Sequence, residues 1–155
     1  MTIWGKGAEE NMYHYTESGL QNVWLENGYS KVKTKYGTGI AVHDVEGLHR
    51  IIGKTIARKP RMTGAEFRFL RKELGLSQAG IAELIGSTEQ TVSLWERRGG
   101  IPKTADRLVR VIYLEHTENN AKIRELIDRL NQLDEKRSIE RLTFAERAGR
   151  WKEAA

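Results

Sequence analysis

The sequence contains no cysteine and no long hydrophobic run. The lack of cysteine excludes disulfides, thiol catalysis and cysteine-based zinc sites. No apolar stretch approaches the roughly 20 residues that a membrane-spanning helix needs, and residues 1–10 lack the apolar core of a signal peptide. We therefore expect a cytoplasmic protein that has no membrane segment.

The motifs of common enzyme classes are also missing. The sequence has no phosphate-binding P-loop, no dinucleotide-binding glycine pattern, no H-E-x-x-H and no nucleophile elbow. His14, His43 and His49 have a spacing that matches no zinc pattern, so we expect surface or packing roles for them, with His49 half-exposed on a helix. The sequence predicts no enzyme, no metal site and no cofactor.

What is present is a globular composition with a mildly basic balance. Hydrophobic residues make up 39% of the 155 residues, and the net charge is +5. This length fits one domain or two small ones. The basic excess permits binding to a polyanion but does not demonstrate it.

Residues 1–60 carry the pattern of a small antiparallel β-sheet with one helix. Asn27-Gly28 lies between two short runs of β-forming residues, which is the strongest short-range hairpin signal. A second turn at 36–39 leads to Ile40, so we predict a three-stranded meander. A helix capped by Asp44 should follow at 45–57. We expect this module to serve partner binding or dimerisation.

The pattern becomes helical after the candidate linker Lys59-Pro60-Arg61. Thr63 can cap a helix whose third residue is Glu66, which is the spacing of a capping box. Gly75 is suited to end that helix, because a C′ residue needs a positive φ.

The fold class is therefore α+β. We predict a small N-terminal antiparallel β-sheet plus helix at 1–60, followed by an all-α five-helix domain at 61–133 whose last helix covers about 120–133. Residues 134–155 should form a polar, partly helical tail.

Residues 74–96 carry the signals of two short helices joined by a tight turn. Ser77 and Thr88 are suited to cap the two helices, and Gly86 is suited to the turn between them. Val92 and Trp95, three residues apart, should face inward. Two short helices joined in this way form a helix-turn-helix.

This segment resembles the Cro/repressor-type (XRE) helix-turn-helix family, whose pattern is close to L-S-Q-x-x-L-A-x-x-L-G-x-S-x-x-T-I-S-x-W-E. The matching residues are Leu76, Ser77, Gln78, Ala82, Leu84 or Ile85, Gly86, Thr88, Thr91, Val92, Ser93, Trp95 and Glu96. The resemblance covers about 63–116, and it implies binding to double-stranded DNA through the second helix.

The family's docking mode assigns base reading to the N-terminal part of that helix, which lies in the major groove. The candidates are Glu89, Gln90, Ser93 and Leu94. Gln can bridge adenine N6 and N7, and Glu can accept from cytosine N4. The alternative reading of Glu89, Gln90 and Ser93 is a solvated surface, and Leu94 has the alternative of packing against a dimer mate.

A second group of residues should meet the DNA backbone or brace the reading side chains. Its members are Ser77, Gln78, Thr88, Thr91, Arg97, Arg98 and Lys103. Backbone N–H groups at the start of a helix bind phosphate, and cationic side chains after the recognition helix neutralise phosphates. Arg97 and Arg98 have the alternative of forming a plain soluble face.

A narrower resemblance concerns the run 63–74 and the Trp95-Glu96-Arg97 segment followed by Pro102. These look like the C-terminal half of MqsA/YgiT-type antitoxins, which dimerise, repress their own operon and neutralise a toxin. The zinc-binding cysteine pairs of that family are absent here, and Leu94 replaces an Arg that the family often carries.

These observations predict a transcriptional repressor that acts as a homodimer on a palindromic operator and serves as an autoregulatory antitoxin. One alternative is a phage or mobile-element regulator without a toxin. Another is a protein-interaction module with secondary DNA binding, in which residues 1–60 grip a toxin or other partner and Phe144 and Trp151 can also dock it. The alternative for Phe144 and Trp151 is to fold back on the body. Dimerisation is expected through helices 105–133 or, second, through the edge of the N-terminal sheet.

Overall fold

The computed structural model describes residues 12–118, 124–125, 127–128 and 142–154. The described parts confirm the α+β class, with short strand pairs followed by five helices. The strands are β1 (Tyr13–His14), β2 (Trp24–Leu25), β3 (Tyr29–Thr34), β4 (Gly37–Val42), β5 (Phe144–Arg147) and β6 (Arg150–Glu153). The helices are α1 (Val45–Arg58), α2 (Gly64–Glu73), α3 (Gln78–Ile85), α4 (Glu89–Arg98) and α5 (Lys103–Thr117).

The predicted three-stranded meander is wrong. The strands form separate antiparallel pairs, β1 with β2 and β3 with β4. A type I′ turn at Asn27-Gly28 would need a positive φ at both residues, and only Gly28 has one, at 80°. The second predicted turn does join two strands, because β3 and β4 pair across Lys35-Tyr36, between the paired residues Thr34 and Gly37.

Helix α1 packs against α5 through its apolar face. Asp44 caps it as predicted, since its carboxylate accepts from the Gly47 N–H at 3.1 Å. Ile52, Gly53, Ile56 and Ala57 are buried. The ring of Tyr113 on α5 lies directly against Gly53, so the helix of the N-terminal region and the following helices share one hydrophobic core. The division of the chain near residue 61 remains a prediction.

Helices α2 to α5 surround the rest of this core. The predicted capping box is present, with Thr63 Oγ1 accepting from the Glu66 N–H and Glu66 Oε1 accepting from the Thr63 N–H. Gly75 has the expected positive φ of 71°. The side chains with 0% exposure come from four helices: Phe67, Leu70, Ile81, Val92 and Val109. Most of the expected helix at 120–133 lies outside the described residues, although Ile127 is described and buried in this core.

The C-terminal residues 142–154 form an antiparallel hairpin of β5 and β6. Ala148 and Gly149 have φ values of 53° and 73°, so both central positions of the turn are left-handed. The tail was expected to be partly helical, but this described part of it contains no helix. Phe144 and Trp151 are 59% and 72% exposed, so they do not fold back into the core.

Candidate nucleic-acid interface

Helices α3 and α4 form the predicted pair of short helices with a tight turn. Ser77 Oγ accepts from the Gly80 N–H at 2.9 Å and caps α3. Gly86 ends α3 with a φ of 70°, and the Ser87 N–H donates to the Ala82 carbonyl at 2.8 Å. Thr88 Oγ1 accepts from the Thr91 N–H at 3.2 Å and caps α4. Local hydrogen bonds therefore set both helix starts and the angle between the helices.

The inner face of α4 anchors it to the core. Val92 is fully buried. Trp95 is half-buried, and its ring meets the ring of Phe67 edge to face, with centroids 6.0 Å apart and planes at 82°. The inward orientation predicted for both residues is confirmed. Aromatic pairs in this geometry stabilise a contact beyond their buried area, so these two side chains tie α4 to the core.

The outer face of α4 carries all four predicted base-reading residues. Glu89, Gln90 and Leu94 are exposed, and Ser93 is half-buried. Their positions at i, i+1, i+4 and i+5 place them on one side of the helix, opposite Val92. This arrangement leaves one face of α4 free to enter a groove.

Beneath this face lies a network that joins three helices. Arg71 on α2 donates from Nε to Glu96 Oε1 at 2.7 Å and from Nη1 to the Leu76 carbonyl at 3.0 Å. Gln78 on α3 donates to Glu96 Oε2. The side chains of Arg71 and Glu96 are only 10% and 4% exposed. The sequence predicted that Gln78 contacts the DNA backbone or braces a base-reading side chain. In the structure, its side chain donates a hydrogen bond to Glu96 on the inner side of α4.

Sequence reasoning gave Arg71 no role, although a signal was present. Arg71 follows Phe67 by four residues and precedes Leu74 by three, so it occupies a core-facing position of α2. A charged residue at a core position needs a buried partner. That pattern could have pointed to Glu96 as the opposite charge.

Cationic side chains lie at the C-terminal end of α4 and just after it. Arg97 and Arg98 are exposed in the last turn, and no ion pair involves them in the described part of the chain. Lys103, also predicted, lines a groove of about 300 Å³ together with Arg61 and Arg107. The sequence assigned Arg61 only to the linker and gave Arg107 no role. Arg97, Arg98 and Lys103 therefore place positive charge at and just after the C-terminal end of α4.

The three candidate histidines lie apart and have separate partners. His14 stacks on Trp24, with centroids 4.0 Å apart, and His43 Nε2 lies 2.9 Å from the Ser30 hydroxyl. His49 is partly exposed on α1, as expected, and both of its ring nitrogens have partners. Nε2 lies 2.7 Å from the Tyr15 hydroxyl and Nδ1 lies 3.0 Å from Glu73 Oε1. Among the described residues, no group of three or more His, Asp or Glu could hold a metal ion.

Comparison with known proteins gives one match. Residues 67–111 match the helix-turn-helix family model, from the middle of α2 into α5. The match supports an XRE-type DNA-binding helix-turn-helix in this segment. No curated protein and no solved structure matches the chain. In the ranges that the structure describes, no helix is long and apolar enough to cross a membrane.

Proposed function

We propose that the chain is a sequence-specific transcriptional repressor that inserts α4 into the major groove of DNA. The observation that carries this proposal is the outer face of α4, where Gln90, Ser93 and Leu94 lie beside each other on a helix fixed from behind by Val92 and Trp95. A rigidly held helix with free polar groups at its N-terminal half is what direct readout of base edges requires.

Contacts to phosphate set the register of this helix on the duplex. The starts of α3 and α4, capped by Ser77 and Thr88, present N–H groups of the first turn that can bind phosphate. Arg97 and Arg98 in the last turn of α4, and Lys103 after it, supply positive charge. In this proposal, the Glu89 carboxylate accepts a hydrogen bond from the N4 amine of a cytosine. Without such a contact, the negative charge of DNA would repel this carboxylate.

We place the dimer contact on α5, as the sequence suggested. Leu108 and Val111 are 41% and 57% exposed and lie three residues apart on one face of α5. Burying both against a second copy removes this apolar surface from water. Two recognition helices related by a two-fold axis would then read a palindromic operator. Analytical ultracentrifugation of the wild type checks this part of the proposal.

The experiment for DNA reading is selection of bound sequences from a random duplex library, followed by an electrophoretic shift on the selected duplex. We expect the Gln90→Ala/Ser93→Ala variant to lose about 1–3 kcal/mol per base contact on that duplex. Its affinity for random duplex should stay unchanged, and Gln21→Ala, an exposed change in the N-terminal region, serves as the matched control. Equal losses on both duplexes would contradict base reading.

A second candidate function is neutralisation of a toxin, as in the antitoxins that the sequence resembles. A groove of about 290 Å³ between β2 and α1 favours a protein partner. Trp24 and Ile51 at its edge are 46% and 63% exposed, which leaves apolar surface uncovered. Co-purification with the product of an adjacent gene tests this role, and its absence would favour a regulator without a toxin.

A further inference from the structure

The charged residues of the β3–β4 hairpin are all positive. Residues 27–43 include Lys31, Lys33 and Lys35 and contain no Asp or Glu. None of these lysines takes part in an ion pair within the ranges that the structure describes. Like charges this close repel one another, so the hairpin gains no ion-pair stabilisation from them.

The hairpin projects from the body of the protein. Tyr29 and Val42, paired at its base, pack against the core, whereas residues 30–38 are all exposed. At about 3.3 Å per residue, six paired residues carry the tip roughly 20 Å from the base. Tyr36 at the tip is 99% exposed, so its ring serves no packing inside the described chain.

The projection is nevertheless ordered by its own hydrogen bonds. All six residues of β3 are paired with β4. At the tip, Thr34 Oγ1 donates to the Gly37 carbonyl at 2.8 Å and accepts from the Tyr36 N–H at 3.3 Å. Lys31 and Lys33 lie on the same face of the ladder, because alternate residues of a strand share a face, and Lys35 lies in the turn.

We infer that this hairpin is a second DNA-contacting element, which binds backbone phosphates through Lys31, Lys33 and Lys35. The inference rests on the proposed function, because α4 is what brings the duplex to the protein. Charge complementarity selects the partner: DNA is a dense row of negative charges, and neutralising its phosphates releases counterions. A two-stranded ribbon is also narrow enough to follow a groove. The Tyr36 hydroxyl at the tip adds a hydrogen-bond donor for a phosphate oxygen.

The test is the salt dependence of DNA affinity in Lys31→Gln/Lys33→Gln/Lys35→Gln. If each lysine neutralises one phosphate, the slope of log K against log salt becomes less steep by about 3. Between about 50 and 200 mM salt the wild type should then lose roughly 40-fold more affinity than this variant. The effect should be the same on selected and random duplex, because phosphate contacts carry no sequence information.

Four controls separate this effect from loss of the lysine side chains themselves, loss of folding, loss of net charge and loss of base reading. The Lys→Arg triple variant should keep the wild-type slope, and thermal unfolding of the Gln variant should match the wild type because residues 30–38 are exposed. A matched variant removes three positive charges from the β5–β6 hairpin, where Glu146 and Glu153 offset them: Arg147→Gln/Arg150→Gln/Lys152→Gln. This variant should change the slope of log K against log salt by less than about 1. Gln90→Ala/Ser93→Ala should lose specific affinity at an unchanged slope.

The outcomes are distinguishable. A wild-type slope in the Lys→Gln variant overturns the role of the β3–β4 hairpin and leaves base reading by α4 intact. Equal slope changes in the two hairpin variants also overturn it, because net charge would then explain the effect. A wild-type protein that shifts no duplex at all refutes the proposed function, and the role of the hairpin falls with it.

Discussion

The buried ion pair of Arg71 and Glu96 should couple the stability of the fold to the position of α4. Glu96 accepts from both Arg71 and Gln78, so Glu96→Leu removes three hydrogen bonds that tie α4 to α2 and α3. It also leaves the Arg71 guanidinium, 10% exposed, without its counter-charge.

The expected magnitude follows from this burial. Removing one partner of a buried pair costs about 3–5 kcal/mol, because the remaining charge stays desolvated. Arg71→Met should lower the free energy of unfolding by a similar amount, because it leaves the Glu96 carboxylate and the Leu76 carbonyl without their donor. Replacing both members by apolar residues removes the uncompensated charge. For Arg71→Met/Glu96→Leu we therefore expect a loss of about 1–3 kcal/mol, mostly from unpaired polar groups.

The assay is urea unfolding of the wild type, both single variants and the double variant, read as a thermodynamic cycle. The numbers above give a coupling free energy of about 3 kcal/mol or more. Arg68→Met, an exposed change on the same helix, should stay within about 0.5 kcal/mol of the wild type. Additive losses from the two single variants would refute the reasoning, because they would mean that Arg71 and Glu96 do not interact.

Two further predictions concern packing and pH. A Cβ at Gly64 would overlap the main-chain carbonyls of Trp95 and Glu96. Gly64→Ala should therefore lower the free energy of unfolding in urea by about 1–3 kcal/mol, although Ala has the better helix propensity. An unchanged free energy of unfolding would show that α2 and α4 can move apart freely. Burial, and then the nearby Arg124, lower the pKa of His116 below its usual 6.5. The unfolded chain therefore binds that proton more tightly, and stability should fall as the pH drops below about 6.5. His116→Gln should flatten this dependence between about pH 5 and 7, and an equally steep profile in the variant would assign it to another group.

The sequence determined the features that depend on neighbours within a few residues. The caps at Thr63, Ser77 and Thr88 each bond an N–H group three residues ahead, and the turn at Gly86 needs only a residue that tolerates a positive φ. Because these interactions are local, the residue types and their spacing suffice to predict them. The helix-turn-helix and the outer face of α4 followed from the same local chemistry.

The tertiary structure decided what depends on residues far apart in the chain. Asn27-Gly28 carried a strong hairpin signal, yet β2 pairs with β1, and Leu25 of that pair is buried in the shared core. Strand pairing is a competition among distant partners, and burial of apolar side chains can outweigh a turn preference. Arg71 and Glu96 lie 25 residues apart, so only the packing of α2 against α4 brings their charges together. Local hydrogen bonds set the start of α4, and this long-range packing ties α4 to the rest of the fold.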